Sequence, residues 1–364
     1  MKKISKIIFI NILFMITLLE LNSFIFSKLK LMPYTETPQI YRKILNEPAS
    51  FSEMFTHDKI WGAWRKKNFT SRQVKSCFDV IHKTNEIGAR DNSFDTKYKK
   101  NFIMLGDSFA EGYGVKKSKT LDTLLENKNK VNIFNFGIGM SFGPLQYYLI
   151  YENLAKNYDH DAVILIFLPQ NDFVDNDYNW FYWKNYPYKR PYYKKINNEY
   201  YDFFIPKVKN KKFGQKVKES LDKYFWLSNL YKTIKFFSNK ETNLYEILEK
   251  GEQSFESEYF ESDIENQYAA LHFIKKIFYS QKKIFYFVIA PATKDILKKK
   301  LYKMDNPFWV EEIIKLSKIE KNFILINLMD YLPTNPKKLF LECDGHWSEY
   351  GNLWASEIIS GYIK

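Results

Sequence analysis

The 364-residue sequence predicts an α/β fold with an open parallel sheet, and three observations predict it. Five short apolar runs recur along the chain without strict alternation, as suits strands buried on both faces. Helix-like stretches separate them, and the residues that carry chemistry fall just after the runs, where the strands of such a sheet end.

Lys2, Lys3 and Lys6 precede IIFINILFMITLLELNSFIF, residues 7–26, and Lys28 and Lys30 follow. Twenty helical residues cover about 30 Å, the hydrocarbon thickness of a bilayer. The run is longer than a signal-peptide core, and no small-x-small cleavage site follows it, so residues 1–28 are expected to be a retained membrane anchor. A helix lying on the membrane surface is the alternative. Asn11 and Glu20 oppose insertion, because a carboxyl at membrane depth is costly unless it is neutral or paired. With basic residues on both flanks the orientation signal is weak. The expectation is a short cytoplasmic amino end, with the rest of the chain outside the cytoplasm.

Residues 29–95 mix apolar, Pro and charged residues without a sustained period and are expected to form an irregular arm. The main domain, 96–364, then carries the five runs NFIML (101–105), VNIFNF (131–136), AVILIFL (162–168), KIFYFVIA (283–290) and NFILINL (322–328). Helices are expected over Leu121–Glu126, Pro144–Asn157, Ile264–Tyr279, Val310–Ile319 and Tyr350–Ile363. An insertion at about 178–262 interrupts the alternation, beginning with YNWFYWKNYPYKRPYYKKINNEYYDFF (178–204), in which 13 of 27 residues are aromatic. Such density suits sugar stacking or packing of the insertion onto its host, with packing the commoner use. PYYKKI and YYDFFI around Asn197-Asn198 predict a hairpin, and a helix is expected near Val217–Phe237, followed by a polar connector.

The formal charge of +13 is almost entirely lysine, since arginine occurs only at 42, 65, 72, 90 and 190. The scattered lysines form no basic patch, which argues against nucleic-acid binding. Cys77 and Cys343 are the only cysteines, so neither a disulfide framework nor a four-cysteine metal site is possible. The two can pair in an oxidising compartment, but free buried thiols are the expectation. No metal or other cofactor is expected.

The stretch MLGDSFAEGYGV (104–115) places Ser108 in a turn between a strand and a helix, as a nucleophile or as a helix cap. A serine hydroxyl needs a base. Of His57, His82, His160, His272 and His346, only the last sits in a chemical context, ECDGHWSEYGN (342–352), where Asp344 can orient it. Asn171, in LPQNDFVDN (168–176), can aim a carboxamide at an oxyanion, or simply form a turn. NFGIGMSFGP (135–144) supplies a glycine loop in which Gly139 is the preferred amide donor, with Gly137 or Met140 possible.

Together, in this order, the four blocks resemble the SGNH/GDSL hydrolase family: Ser108 in Gly-Asp-Ser, the Gly137/Gly139 loop, Asn171-Asp172, and Asp344 with His346. Asn85-Glu-Ile-Gly-Ala-Arg-Asp91 looks like the lead-in of membrane-anchored members. The resemblance covers 96–178 and 263–364. It departs at Gln170, where Gly is common, and at Asp344, which lies two rather than three residues before the histidine; Asp344-Gly-His-Trp347 resembles polysaccharide-deacetylating branches.

The resemblance implies a flavodoxin-like three-layer α/β/α sandwich with a five-stranded parallel sheet, and ester hydrolysis without a cofactor. Ser108 would attack, His346 would act as base and then acid, and Asp344 would orient it. The amides of Ser108 and Gly139 and the Asn171 side chain would form the oxyanion hole. The expected substrate is an acylated carbohydrate, O-acetylated foremost, or another small ester, with the membrane contacted through the N-terminal helix. An O-acyltransferase on exported polysaccharide and a non-catalytic glycan-binding envelope protein are the alternatives.

Overall fold

The computed structural model describes residues 2–94, 96–183, 189–197, 200–207, 213–238 and 255–363. A single helix, Lys2–Lys28, opens the chain, and its stretch Ile4–Lys28 is long and apolar enough to cross a membrane. Its first turns stand free of the body, with Ile7, Phe9, Leu13 and Phe14 all more than half exposed.

The expectation of an irregular arm at 29–95 is corrected: this segment folds into short strands. Strand β1 (Ala49–Ser50) pairs in parallel with β4 (Thr70–Lys75), β4 pairs with β5 (Phe78–Lys83) as a hairpin, and β2 (Phe55–Asp58) pairs with β3 (Gly62–Arg65) as another. These strands lack a clean apolar alternation because charged and polar side chains on them are buried against the main domain. Arg65 is 2% exposed, Gln73 4% and His82 0%. The Gln73 carboxamide oxygen accepts the Gly114 N–H at 3.0 Å. Trp61 and Trp64 belong to the same apolar core as the central sheet.

That sheet has five parallel strands: β6 (Asn101–Gly106), β7 (Asn132–Asn135), β8 (Ala162–Phe167), β11 (Ile284–Ile289) and β12 (Phe323–Asn327). The hairpin strands β9 (Tyr192–Lys195) and β10 (Tyr201–Phe204) lie apart from it. The order across the central sheet is β12-β11-β8-β6-β7. Every residue of β8 is buried, as a central strand covered on both sides requires. The order reverses between β6 and β8. Right-handed crossovers therefore send the helix after β6 to one face and the helices between β7 and β12 to the other, and the final helix, which leads to no further strand, covers the first face. Accordingly Leu121–Asn129 packs against Glu349–Ser360, and Pro144–Asn153 against Ile264–Ser280. The fold is the expected three-layer α/β/α arrangement. The crevice at the reversal point, above the carboxyl ends of β6 and β8, is where ligands bind in such sheets.

Within the insertion, the expected hairpin forms as β9 and β10, with Asn198 of its turn outside the described residues. Several of its described aromatics pack inward, Tyr192 and Tyr201 each 1% exposed and Tyr178 meeting Tyr192 and Phe204 edge-on at 5.3 and 5.5 Å, whereas Tyr200 and Phe203 face outward at 44% and 38% exposed. The one helix expected near 217–237 is two, Phe213–Tyr224 and Leu227–Ser238. The break has a cause remote in sequence. The Glu20 carboxylate accepts the Trp226 N–H at 2.7 Å and the Leu227 N–H at 2.9 Å, capping the second helix from the N-terminal one. The polar connector falls largely on 239–254, outside the described residues.

Candidate active site

Strand β6 ends on Gly106, whose φ of +145° and close approach to the Ile166 carbonyl oxygen admit no side chain; an added Cβ would lie 2.7 Å from that oxygen. The chain then turns into a short helix, Ser108–Glu111. The helix cap comes from the preceding residue rather than from Ser108. Asp107 is the cap, its Oδ1 accepting the Phe109 N–H at 2.8 Å, and Ser108 is the first helical residue, its hydroxyl left for other partners.

The partner is His346. Its Nε2 lies 2.7 Å from Ser108 Oγ, across 238 residues of chain, and its Nδ1 is hydrogen-bonded to Asp344 Oδ1. The Asp344 Oδ1 also accepts the His346 backbone N–H at 3.1 Å, so the two-residue spacing is what lets this aspartate close on its own histidine. The imidazole is held between aromatic rings, stacked on Tyr113 at 4.1 Å and tilted against Phe109 at 5.3 Å. Burial works against the Asp344 charge, but the His346 imidazole and the Lys75 ammonium outweigh it and hold the carboxyl well below the usual range.

Lys75, which forms an ion pair with Asp344 Oδ2, comes from the end of β4, in the arm. Two residues on, Cys77 is disulfide-bonded to Cys343, with the Cα atoms 5.7 Å apart. The expectation of free thiols is thus corrected. Folding brings the β4–β5 turn onto the loop before Asp344, a proximity that 266 residues of separation hide. A lysine in a segment without evident period gave no sign of this role.

The glycine loop lies directly over the Ser108 helix. A Cβ on Gly139 would stand 2.9 Å from Ser108 Cβ, and one on Gly137 2.7 Å from the Glu111 nitrogen. Gly139 was the expected oxyanion donor, and here the structure differs. Its N–H donates to Glu111 Oε2 at 2.6 Å. The Gly137 N–H donates to Asn135 Oδ1 at 2.8 Å and the Met140 N–H to the Ile138 carbonyl at 3.1 Å, so all three candidate loop amides are engaged. Glu111 is held in turn by Arg65, whose Nε donates to Oε1 at 3.0 Å and whose Nη2 donates to the Gly137 carbonyl. The pair, with both side chains fully buried, clamps the loop at both glycines. Arg90 supports the helix from below, donating to the Glu111 carbonyl at 2.9 Å and the Val115 carbonyl at 2.6 Å.

Asn171 follows β8 and leans into the crevice. Its Nδ2 donates one hydrogen to Asp107 Oδ2 at 3.2 Å, which leaves the second for a ligand. Asp172 is structural: its Oδ2 accepts the Leu168 N–H at 2.8 Å and its Oδ1 meets the Tyr147 hydroxyl at 2.6 Å. Burial, then the nearby Asp107 charge, pushes its carboxyl well above the ordinary value. Burial likewise lifts Asp107 to about 6, opposed by the Phe109 N–H and the His346 charge. Ser108, His346, Asp344 and Asn171 are therefore brought together as expected, and Gly139 lies beside them with its amide already bonded. Among the described residues no cluster of His, Cys, Asp and Glu is suited to hold a metal ion.

No family model matches the sequence, and no curated protein matches it. Solved structures do resemble it. A member of the lipolytic protein G-D-S-L family from Veillonella parvula DSM 2008 is 13% identical, covering 72% of this chain and 96% of its own, with a TM-score of 0.34. A family two carbohydrate esterase from Clostridium thermocellum, in complex with cellohexaose, is 9% identical over 74% of this chain and 65% of its own, at 0.35. A carbohydrate esterase family 2 enzyme with a carbohydrate-binding domain from Corynascus thermopiles (Myceliophthora fergusii) is 10% identical over 73% of this chain and 65% of its own, at 0.35.

Proposed function

We propose that the chain is a membrane-anchored serine esterase that removes short acyl groups, acetyl foremost, from carbohydrate outside the cytoplasm. The observation that carries the chemistry is the hydrogen-bonded series Ser108 Oγ, His346 Nε2, His346 Nδ1, Asp344. In it Ser108 Oγ attacks the ester carbonyl while its proton passes to Nε2, and Asp344 stabilises the imidazolium that forms. The carbonyl oxygen, now negative, is met by the Ser108 N–H, a helix-start amide that needs a partner, and by the free hydrogen of Asn171 Nδ2. Nε2 returns the proton to the departing alcohol, leaving an acyl-serine. Water then attacks the acyl carbon, again giving its proton to Nε2, and Ser108 regains its hydrogen as the acid leaves.

The acyl size follows from crowding. Ser108 is 8% exposed, and the glycine loop approaches its Cβ closely enough that one methyl group on Gly139 would collide. A short acyl group fits such a space better than a long chain. The Cys77–Cys343 bridge supports an oxidising, extracytoplasmic location, and the apolar N-terminal helix supports attachment to a membrane.

The test is hydrolysis of 4-nitrophenyl acetate and of acetylated xylan or peptidoglycan fragments by the full chain in detergent. Ser108→Ala should lower kcat by about 10^4-fold or more. Equal rates for the two proteins would refute the esterase, and transfer of acetyl to an added glycan in preference to water would reassign it as a transferase.

A further inference from the structure

A helix that crosses a bilayer normally leaves the protein body behind at its end, but here the body grips the helix part-way along. Glu20 accepts the amides of Trp226 and Leu227, and Ser27 Oγ accepts from Asn229 Nδ2 at 2.7 Å. Phe24 meets Trp226 edge-on at 5.1 Å, and Tyr41 stacks on the same indole at 6.2 Å. If residues 7–26 fill the hydrocarbon, Glu20 lies about 20 Å from the start of the span, well before its end. If the span instead ends at Glu20, with Lys6 reaching back to the cytoplasmic headgroups, the boundary passes through Glu20 itself. In either placement the residues bonded to Glu20 are carried to the bilayer.

We propose that the turn Tyr224-Phe225-Trp226-Leu227 is a second membrane contact, seated at the lipid interface beside the N-terminal helix. Its composition suits that place. Tyr224 and Phe225 are 42% and 41% exposed, whereas Trp226 is 6% exposed and fixes the turn to the helix. Aromatic side chains of this kind collect at headgroup level, where a ring has apolar surroundings and a polar edge can stay wet. The helix Gln39–Ile44, which packs on Phe213–Tyr224, adds Ile40 and Ile44, 39% and 79% exposed, with Leu45 just beyond. Lys28, 5.2 Å from the Trp226 ring and 3.4 Å from the Glu47 carboxylate, lies beside the turn, and Lys223 directly precedes it, where anionic headgroups would meet them. The pairing also accounts for Glu20, whose carboxylate reaches the bilayer already bonded to two amides rather than bare. Two attachments fix orientation as well as distance: the catalytic body is held at a set tilt over the membrane rather than swinging on a single helix.

This inference rests on the membrane-anchored reading above, and the experiment separates the two. Full-length Phe225→Cys, with a second variant, Tyr224→Cys, guarding against a local folding defect, is labelled with an environment-sensitive fluorophore without reductant, so that the native bridge stays closed. Each is reconstituted in phosphatidylcholine–phosphatidylglycerol vesicles with and without nitroxide-bearing lipid; Ile12→Cys reports on the helix itself. The expected result is loss of emission to nitroxide lipid at 224 or 225 as well as at 12, with blue-shifted spectra. Quenching at 12 but at neither 224 nor 225 overturns the second contact and leaves the anchor standing. Absence of quenching at all three overturns both. Ester hydrolysis by the same preparations reports on the Ser108 chemistry independently.

Discussion

Replacing Cys77 and Cys343 together by serine removes a covalent tie between the arm and the loop carrying Asp344, and its two consequences can be measured apart. The bridge closes a loop across a sequence separation of 266 residues. The chain-entropy relation gives about 5–6 kcal/mol as its ceiling, and native bridges usually deliver about 2–5 kcal/mol. For a folded body of this size, with an unfolding entropy of about 2 cal/mol/K per residue, that corresponds to a fall in Tm of about 3–8 °C. The catalytic consequence is local. Cys77 is two residues from Lys75 and Cys343 is next to Asp344, so the same substitution loosens the ion pair that braces the acid. Misplacing a catalytic group by an ångström can cost about 100-fold, and a partial loosening should lower kcat by about 10-fold while KM changes little. Circular-dichroism melts and 4-nitrophenyl acetate kinetics on the full chain in detergent, each with and without reductant, read the two effects. A variant with unchanged Tm and unchanged kcat would refute the reasoning. A lower Tm with full activity would refute only the bracing of Asp344.

Lys75→Met should leave Asp344 with His346 as its one charged partner. The Asp344 side chain is 8% exposed and Lys75 22%, so the loss should fall at about 2–3 kcal/mol, below the roughly 3–5 kcal/mol for breaking a fully buried pair, with a decrease in kcat. Gly139→Ala would drive a methyl group against Ser108 Cβ and Glu111 Oε2; kcat should fall by about 10-fold or more while the melting curve moves little, and an active variant would refute the close approach. Glu126 is raised to about 7 by burial, partly opposed by the Ile133 N–H it accepts, and the neighbouring Asp91 charge adds to the rise. For an acid whose folded pKa is raised, stability is full below the unfolded value and falls as pH rises through the folded one. Glu126→Gln should therefore flatten the decline of Tm between about pH 4.5 and 7, matching wild type at low pH and exceeding it at pH 8.

The central sheet was legible because apolar runs long enough for strands and buried on both faces announce themselves in one dimension; AVILIFL gives β8 to within a residue. Ser108, Asn171, Asp344 and His346 were legible for a related reason, since each follows a strand that the topology ends at the same edge. What escaped was whatever depends on a partner distant in sequence. The arm's strands bury Arg65, Gln73 and His82 against the main domain, which erases the alternation that would mark them. Glu111 reads as an ordinary helix residue, yet it engages the Gly139 amide that looked free. The break at Phe225-Trp226 in a stretch of good helical pattern is set by Glu20, some two hundred residues earlier. Cys77 and Cys343 carry no spacing signal, because two cysteines offer one pairing and no pattern. The helix Thr293–Tyr302, whose run of lysines and short apolar stripe gave a weak period, also went unanticipated.

The central claim, that Ser108 is a nucleophile activated by His346, is tested most directly by covalent capture. A fluorophosphonate probe incubated with the full chain should form one adduct, located at Ser108 by mass spectrometry of the digested protein. The adduct should be absent from Ser108→Ala and form far more slowly in His346→Ala, because the base that takes the Oγ proton is gone. An unreactive wild-type protein, or an adduct that persists in Ser108→Ala, would contradict the account.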